Sequence, residues 1–276
     1  MPQDSDITRH YASEGIAERI LAALRAASGS DAPVTPDTLA PLDHFHGRGL
    51  QATQEIVALL KPQPDENLLD IGSGIGGPAR WIASHCGCRV IGVDLTEAFC
   101  NAARALNEAT GMADRVRILH GSATALPVAD AGFDRAYSQN VVMNIADKMA
   151  FYREARRALR PGGLLALSNI CAGPNGEPYY PVPWANSAAT SFLVTPEQTR
   201  RDVAAAGFET VSFTDTTVRV AEAQAALRRR IETEGLPALG MHILMGPRMR
   251  ELQQNSMRGV QEGRLATIEV LLRKPG

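Results

Sequence analysis

The sequence predicts an α/β protein, a doubly wound, seven-stranded, mostly parallel sheet with an N-terminal helical cap and lid insertions. Three observations predict it. From residue 67 onward, short apolar runs alternate with amphipathic stretches, the pattern of a sheet covered by helices on both faces. A glycine-rich turn, Gly72-Ser73-Gly74-Ile75-Gly76-Gly77, separates the first strand from the helix that follows it. Finally, residues 1–60, 171–194 and 219–262 fall outside the alternation. Long segments of that kind, at the carboxyl ends of strands, build caps and substrate walls. The chain therefore divides into a helical cap over 1–60 and one domain over 61–276, with insertions at 171–194 and 219–262.

Taken in order, residues 5–28 read as a helix, with Ile7, Ile16, Ile20, Leu21 and Leu24 near helical spacing. Ser28 to Pro41 reads as a polar, proline-punctuated linker, and Leu42 to Gly49 as a loop. A helix over 50–60 ends at Pro62 and Pro64. Strands are expected at 67–71, 89–94, 116–119, 133–138, 164–170, 208–217 and 265–272. Helices are expected at 78–85, at 97–110 behind Thr96 as N-cap, at 148–159, and at 196–206 before Gly207. Arg160-Pro161-Gly162-Gly163 reads as a turn.

Composition narrows the function. With 28 Lys and Arg against 30 Asp and Glu, the net charge is -2, which argues against a partner rich in phosphate such as nucleic acid. The N-terminal residues are polar and acidic, with no signal-peptide pattern, and no apolar run reaches the roughly 18 residues that span a bilayer. The expectation is a cytoplasmic protein with no membrane partner. The four cysteines, Cys86, Cys88, Cys100 and Cys171, form no paired framework. Cys86-Gly87-Cys88 follows His85 but lacks a second ligand pair, so no metal is expected. Oligomeric state is not readable.

The chemistry-bearing signal is the glycine loop with its flanking acids. Its backbone is suited to close approach by a ligand. Asp94 stands eighteen residues after Gly76 at the end of the second strand, where a carboxylate accepts from both ribose hydroxyls. A nucleoside-containing cofactor is implied. Gly72, Gly74 and Gly77 also satisfy the dinucleotide fingerprint, so a nicotinamide-dependent oxidoreductase is one alternative. Against it, Asp70 puts a negative charge where a pyrophosphate would lie. No Tyr-x-x-x-Lys pair for hydride chemistry is present, since Tyr152 is followed at that spacing by Arg156. A protein that holds the cofactor without catalysis is a further alternative.

The pattern resembles the class I S-adenosylmethionine-dependent methyltransferases. Their first motif, acidic-x-Gly-x-Gly-x-Gly, is matched by Asp70, Gly72, Gly74 and Gly76, and their strand-two acid by Asp94. Gly121 to Pro127 after strand three, Phe133-Asp134 at strand four and Leu159 to Gly163 before strand five complete the set, over about residues 65–170. The resemblance implies a Rossmann-like methyltransferase sheet with S-adenosylmethionine as cofactor. It places Asp70, Gly72, Ser73, Gly74, Gly76, Asp94, Leu95, Ser122, Ala123 and Gln139 in contact with that cofactor. Ser122 stands where many relatives carry an acid, and its hydroxyl is a weaker acceptor for the adenine amino group.

The flanking segments narrow the resemblance. Asp43 to Gly49, Ile75 to Arg80, Gln139 to Ile145, Pro181 to Ala185 and Ser191 to Val194 resemble the sarcosine/dimethylglycine N-methyltransferase-like proteins. The expected substrate is accordingly a small molecule, with the amine of sarcosine or dimethylglycine as the named expectation. An O- or C-methyltransferase of a specialised metabolite is the alternative. The Asn/Asp-Pro-Pro-aromatic motif of nucleic-acid amino-methyltransferases is missing after strand four.

Methyl transfer is an in-line displacement that needs alignment and an unprotonated nucleophile. Arg48 is the candidate for a substrate carboxylate, because a guanidinium meets one bidentately. Gln139 and His46 are the catalytic candidates, the first beside the expected methyl group and the second as a proton acceptor. His44 is the alternative to His46. Asn140, Asn144, Tyr179 and Trp184 are candidate substrate contacts, the aromatics because their faces stabilise an ammonium. Met241, Met245 and Met249, four apart, make one helical face.

Overall fold

The computed structural model describes residues 15–44, 48–240, 242–245 and 248–276. Helix α1 covers Ile16–Ser28 and buries Ile16, Ala17, Ile20 and Leu24 on one face. The stretch expected as a linker is largely helical. Thr35 and Thr38 cap each other reciprocally and Pro36 opens α2, Pro36–Asp43. Threonine at the N-cap and proline in the first turn are start signals; the sequence reading gave their proline and polar content to a loop. Helix α3, Leu50–Leu60, follows.

The sheet then builds from β1 Asn67–Ile71, β2 Arg89–Asp94, β3 Val116–His120, β4 Phe133–Gln139, β5 Leu159–Ala172, β6 Glu209–Asp215 and β7 Leu265–Arg273. Their order is β3-β2-β1-β4-β5-β7-β6. The first five are parallel, and β7 runs antiparallel to both β5 and β6. Crossover helices α4 Gly77–Cys86, α5 Glu97–Ala109, α6 Lys148–Ala158 and α7 Pro196–Ala205 connect them. The expected turn at Arg160 to Gly163 is instead an irregularity inside β5. Pairing with β4 jumps from Phe133 opposite Leu159 to Arg135 opposite Leu164, and Gly162 takes a φ of 77°. A bulge absorbs the extra residues that a turn signal advertised.

Apolar residues on the two sheet faces form separate cores. Leu69, Ile71, Leu165 and Leu167 pack with Phe151 and Tyr152 of α6, whereas Leu68, Val90, Ile118 and Ala166 pack with Ile56, Ile82 and Ala103. Ile20, Leu24, Leu39 and Leu42 of the cap close over Ile75 and Phe99, beside the glycine loop. The second insertion folds into α8 Thr217–Glu234, α9 His242–Met245 and α10 Met249–Gln261. Among the described residues no helix is long and apolar enough to cross a membrane.

Candidate active site

The order of strands reverses direction between β1 and β4, and a crevice opens there beyond their carboxyl ends. The crevice is part of a cavity of about 1880 Å³ that runs from the glycine loop to the lid helices. Single ligand sites span roughly 300–1,000 Å³, so there is room for two ligands together.

One half is built by the ends of β1 and β2. The backbone N–H groups of Gly72 and Ser73 donate to Val93 O (2.8 and 3.1 Å), folding the loop back over β2. Gly72 has a φ of 84°, and a Cβ there would collide with the Val141 side chain. Asp94 accepts from Gly74 N at 2.7 Å with one oxygen and from Thr96 N at 2.9 Å with the other. A carboxylate has about four acceptor positions, so both oxygens keep capacity for hydroxyls. Ser73 Oγ is buried without a partner among the described residues. Asp70, Leu95, Ser122 and Ala123 also line this half, and Ser122 shares a 2.8 Å hydrogen bond with Thr124.

Asp70 is almost wholly buried and accepts from Tyr137 OH at 2.8 Å. Burial pushes its carboxyl up to about 7; Tyr137 opposes that rise and neighbouring Asp94 adds to it. Burial also raises Asp94, against the pull of its two backbone donors. This end of the sheet is therefore short of positive charge and would stabilise a cationic ligand.

The loop is held from behind by Arg80, which is fully buried. Its guanidinium donates to Ile75 O (2.8 Å), Asp43 Oδ2 (2.9 Å), Asn107 Oδ1 (2.9 Å) and Ala103 O (3.3 Å). Burial works to raise the Asp43 carboxyl, but the hydrogen bond from His44 and the charge of Arg80 outweigh it and hold it below the usual range. Gly77 allows this approach, since a Cβ there would strike the Asp43 carbonyl. One ion pair thus joins cap, loop and α5.

The other half is floored by the ends of β4 and β5 and roofed by the lid. Lys148 Nζ donates to Val142 O (2.9 Å) and Ile145 O (2.8 Å), bracing the turn after β4; burial lowers its ammonium to about 8. Gln139 and Asn140 line the cavity, and Asn140 takes a φ of 54°. Both ends of the Gln139 amide are buried without a partner among the described residues. Trp184 forms part of the wall and donates to Ser191 Oγ at 3.0 Å. Val220, Ala223, Leu227 and Ile231 of α8 and Met249, Leu252, Met257 and Val260 of α10 present two helical faces to the cavity.

Several expected substrate and cofactor contacts are engaged elsewhere. Arg48 lines the cavity, but its guanidinium is paired with Glu55 and with Glu269 (2.9 Å), and Arg219 reaches the same glutamate at 2.7 Å. Asn144 lines the cavity yet donates to Trp184 O (2.8 Å) and Thr190 O (3.0 Å), a brace between the β4 turn and the first insertion. Tyr179 does not line it. Its hydroxyl donates to Glu262 at 2.6 Å and its ring lies under Arg258 and Arg264, 3.9 and 4.4 Å away. Gly76 does not line it either; with a φ of 77° it closes the turn into α4. His44 lies in the cavity wall with Nδ1 3.0 Å from Asp43 Oδ1. His46 and Met241 lie outside the described residues.

Sequence reasoning passed over Tyr137, the two lid-helix faces and Asn169. Asn169 is 5% exposed, lines the cavity, and leaves Oδ1 without a partner among the described residues. The available signal was the polar pair Ser168-Asn169 interrupting an otherwise apolar strand.

Comparison with known proteins places this geometry. Residues 69–167 match the family described as Methyltransferase domain. The 24-methylenesterol C-methyltransferase 2 of Oryza sativa subsp. japonica is 39% identical over 120 residues, 43% of this chain and 33% of that protein. The sarcosine/dimethylglycine N-methyltransferase of Halorhodospira halochloris is 27% identical over 169 residues, 61% of each. The chain thus spans a third to about three-fifths of these two curated relatives. The geranyl diphosphate C-methyltransferase of Streptomyces coelicolor A3(2) shares the fold, with a TM-score of 0.73 at 18% identity over 99% of this chain and 98% of that one. Residues 69–167 are thus a methyltransferase domain, and these relatives and structures support the class I S-adenosylmethionine-dependent type, with S-adenosylmethionine as cofactor. The donor set described above suits this cofactor: acceptors at Asp94 for hydroxyls and anionic character at Asp70 for positive charge.

Asp70 makes cofactor affinity pH-dependent. Positive charge on the ligand favours the ionised carboxylate, which is the minor form at pH 6 and the major form at pH 8. Affinity for S-adenosylmethionine is expected to rise over that interval, by up to about tenfold per pH unit on its acidic side, with a proton released on binding. Calorimetry in two buffers of different ionisation enthalpy measures both. A flat profile with no proton release would separate Asp70 from the ligand's charge.

Proposed function

We propose that this protein transfers the methyl group of S-adenosylmethionine to a small molecule with an extended apolar body. The observation that carries the reading is one continuous cavity among the described residues, in which the lid faces of α8 and α10 roof the ends of β4 and β5 and open onto the glycine-loop half. Bound there, S-adenosylmethionine supplies an electrophilic methyl group on a sulfonium.

This chain's residues would do the rest by binding and orientation. Asp94 would accept the ribose hydroxyls, Gly72, Ser73 and Gly74 would line the amino-acid portion with Asp70 balancing its charge, and Leu95, Ser122 and Ala123 would border the adenine. Gln139 would stand beside the transferred methyl, with Asn140 and Trp184 bounding the acceptor. The apolar lid would exclude water and hold the acceptor in line, an effect worth about 7–11 kcal/mol when alignment is good. His46 remains a candidate proton acceptor.

The reading in which the acceptor is sarcosine or dimethylglycine draws support from the Halorhodospira relative. It needs a cation for the substrate carboxylate, and Arg48 is already shared between Glu55 and Glu269. The curated relatives include proteins named for methylation at carbon, nitrogen and oxygen, so the argument for substrate shape rests on the cavity walls.

The test is release of S-adenosylhomocysteine across a panel of acceptors. Long-chain phenols, isoprenoid alcohols and apolar amines are expected to support turnover, and sarcosine and dimethylglycine to give none above background. Turnover with sarcosine or dimethylglycine alone would overturn the apolar reading and leave the cofactor assignment standing.

A further inference from the structure

Two primary amides sit at the floor of the acceptor half with hydrogen-bonding atoms buried and unused. Gln139 ends β4, and both its Oε1 and Nε2 lack partners among the described residues. Asn169 lies on the adjacent strand β5, one residue beyond Ser168, the register partner of Gln139, so its side chain leaves the sheet on the face opposite to that of Gln139. Its Oδ1 is likewise buried and unpartnered among the described residues, in a residue 95% buried that still lines the cavity. Buried side-chain acceptors are nearly always satisfied, so an unpartnered one in a residue that lines a ligand cavity marks a hydrogen bond left for a ligand to complete.

The charge on this floor is as informative as the amides. Arg48 is neutralised by Glu55 and Glu269, and Lys148 spends its ammonium on two backbone carbonyls. Beside the β4 and β5 ends the surface offered to an acceptor is Gln139, Asn140, Ser168 and Asn169, all neutral.

We propose that Asn169 is a specificity-determining residue that recognises an uncharged hydrogen-bond-donating head group, a hydroxyl or a neutral amine, on an otherwise apolar acceptor. This rests on the methyl-transfer reading above and adds to it the chemistry of the substrate's polar end. An Oδ1 acceptor rewards O–H or N–H and opposes a carboxylate or phosphate oxygen, which has no proton to give it and sets lone pair against lone pair. An ether of the same shape fills the same volume and leaves Oδ1 unsatisfied, and sites built to bond a polar group discriminate strongly against analogues that lack it.

The experiment is calorimetric titration of the protein saturated with S-adenosylhomocysteine, using four probes of one shape: 4-pentylphenol, 4-pentylaniline, 4-pentylanisole and 4-pentylbenzoate. The phenol and aniline are expected to bind at least tenfold more tightly than the anisole and benzoate. Asn169→Leu is expected to abolish that preference while S-adenosylhomocysteine affinity stays within about twofold, which also reports that the variant is folded. Anisole or benzoate binding as tightly as the phenol, a preference that survives in Asn169→Leu, or no binding by any of the four overturns the proposal. The comparison among probes on the unmodified protein decides the matter even if the variant does not fold. Failure of S-adenosylhomocysteine itself to bind would instead strike the methyl-transfer reading.

Discussion

Replacing Arg80 with alanine is expected to lower folding stability by about 3–5 kcal/mol, the cost of removing one partner from a buried ion pair. Arg80 is fully buried, and its loss leaves the Asp43 carboxylate inside the protein with only the His44 ring and no guanidinium. The same change removes the donor that holds Ile75 O, so the glycine loop loses its support from behind. Thermal or urea unfolding should register the first effect. Titration with S-adenosylhomocysteine below the new melting temperature should register the second as weakened binding. Asp43→Asn should be milder, since an amide oxygen still accepts from Arg80. A stability change under 1 kcal/mol in Arg80→Ala would show that water replaces the guanidinium, and that cap and loop are joined by apolar packing alone.

Asp94→Ala is the second large effect. Two acceptor oxygens for ribose hydroxyls disappear, and the N–H groups of Gly74 and Thr96 lose the carboxylate that positions them. Hydrogen bonds to charged groups contribute about 1.5–3 kcal/mol each, so a loss of roughly 100-fold in affinity for S-adenosylmethionine is expected. Calorimetry measures it directly, and Asp94→Asn should fall between the two. Stability should change far less than in Arg80→Ala, because Asp94 reaches the cavity surface. Unchanged affinity in Asp94→Ala would remove this carboxylate from the site.

These two residues also show how legibility in the sequence depends on range. Asp94 and the Asp70 to Gly76 turn are local: a strand, a glycine turn, a helix and a second strand end at fixed spacing, each imposed by backbone geometry. Residues whose role comes from distant partners were not legible in that way. Arg48 in a loop reads as a free guanidinium until the fold brings Glu269, 221 positions away, into contact with it. Tyr179 reads as an aromatic for an ammonium until Arg258 and Arg264 cover its ring. The lid was legible as an insertion but not as a wall. The charged residues Arg228-Arg229-Arg230 mask the apolar face of Val220, Ala223, Leu227 and Ile231, which matters only once α8 lies over the sheet. At Thr35 and Pro36 the local signal for a helix start was present, and the surrounding prolines outweighed it.

The central claim is that the crevice at the β1, β2 and β4 ends is an S-adenosylmethionine site. Parallel calorimetric titrations of the unmodified protein with S-adenosylmethionine and with oxidised and reduced nicotinamide dinucleotides test it most directly. Saturable binding of S-adenosylmethionine at one site per chain, with no detectable binding of the dinucleotides, is the expected result. Saturation by a nicotinamide dinucleotide with none by S-adenosylmethionine would contradict it.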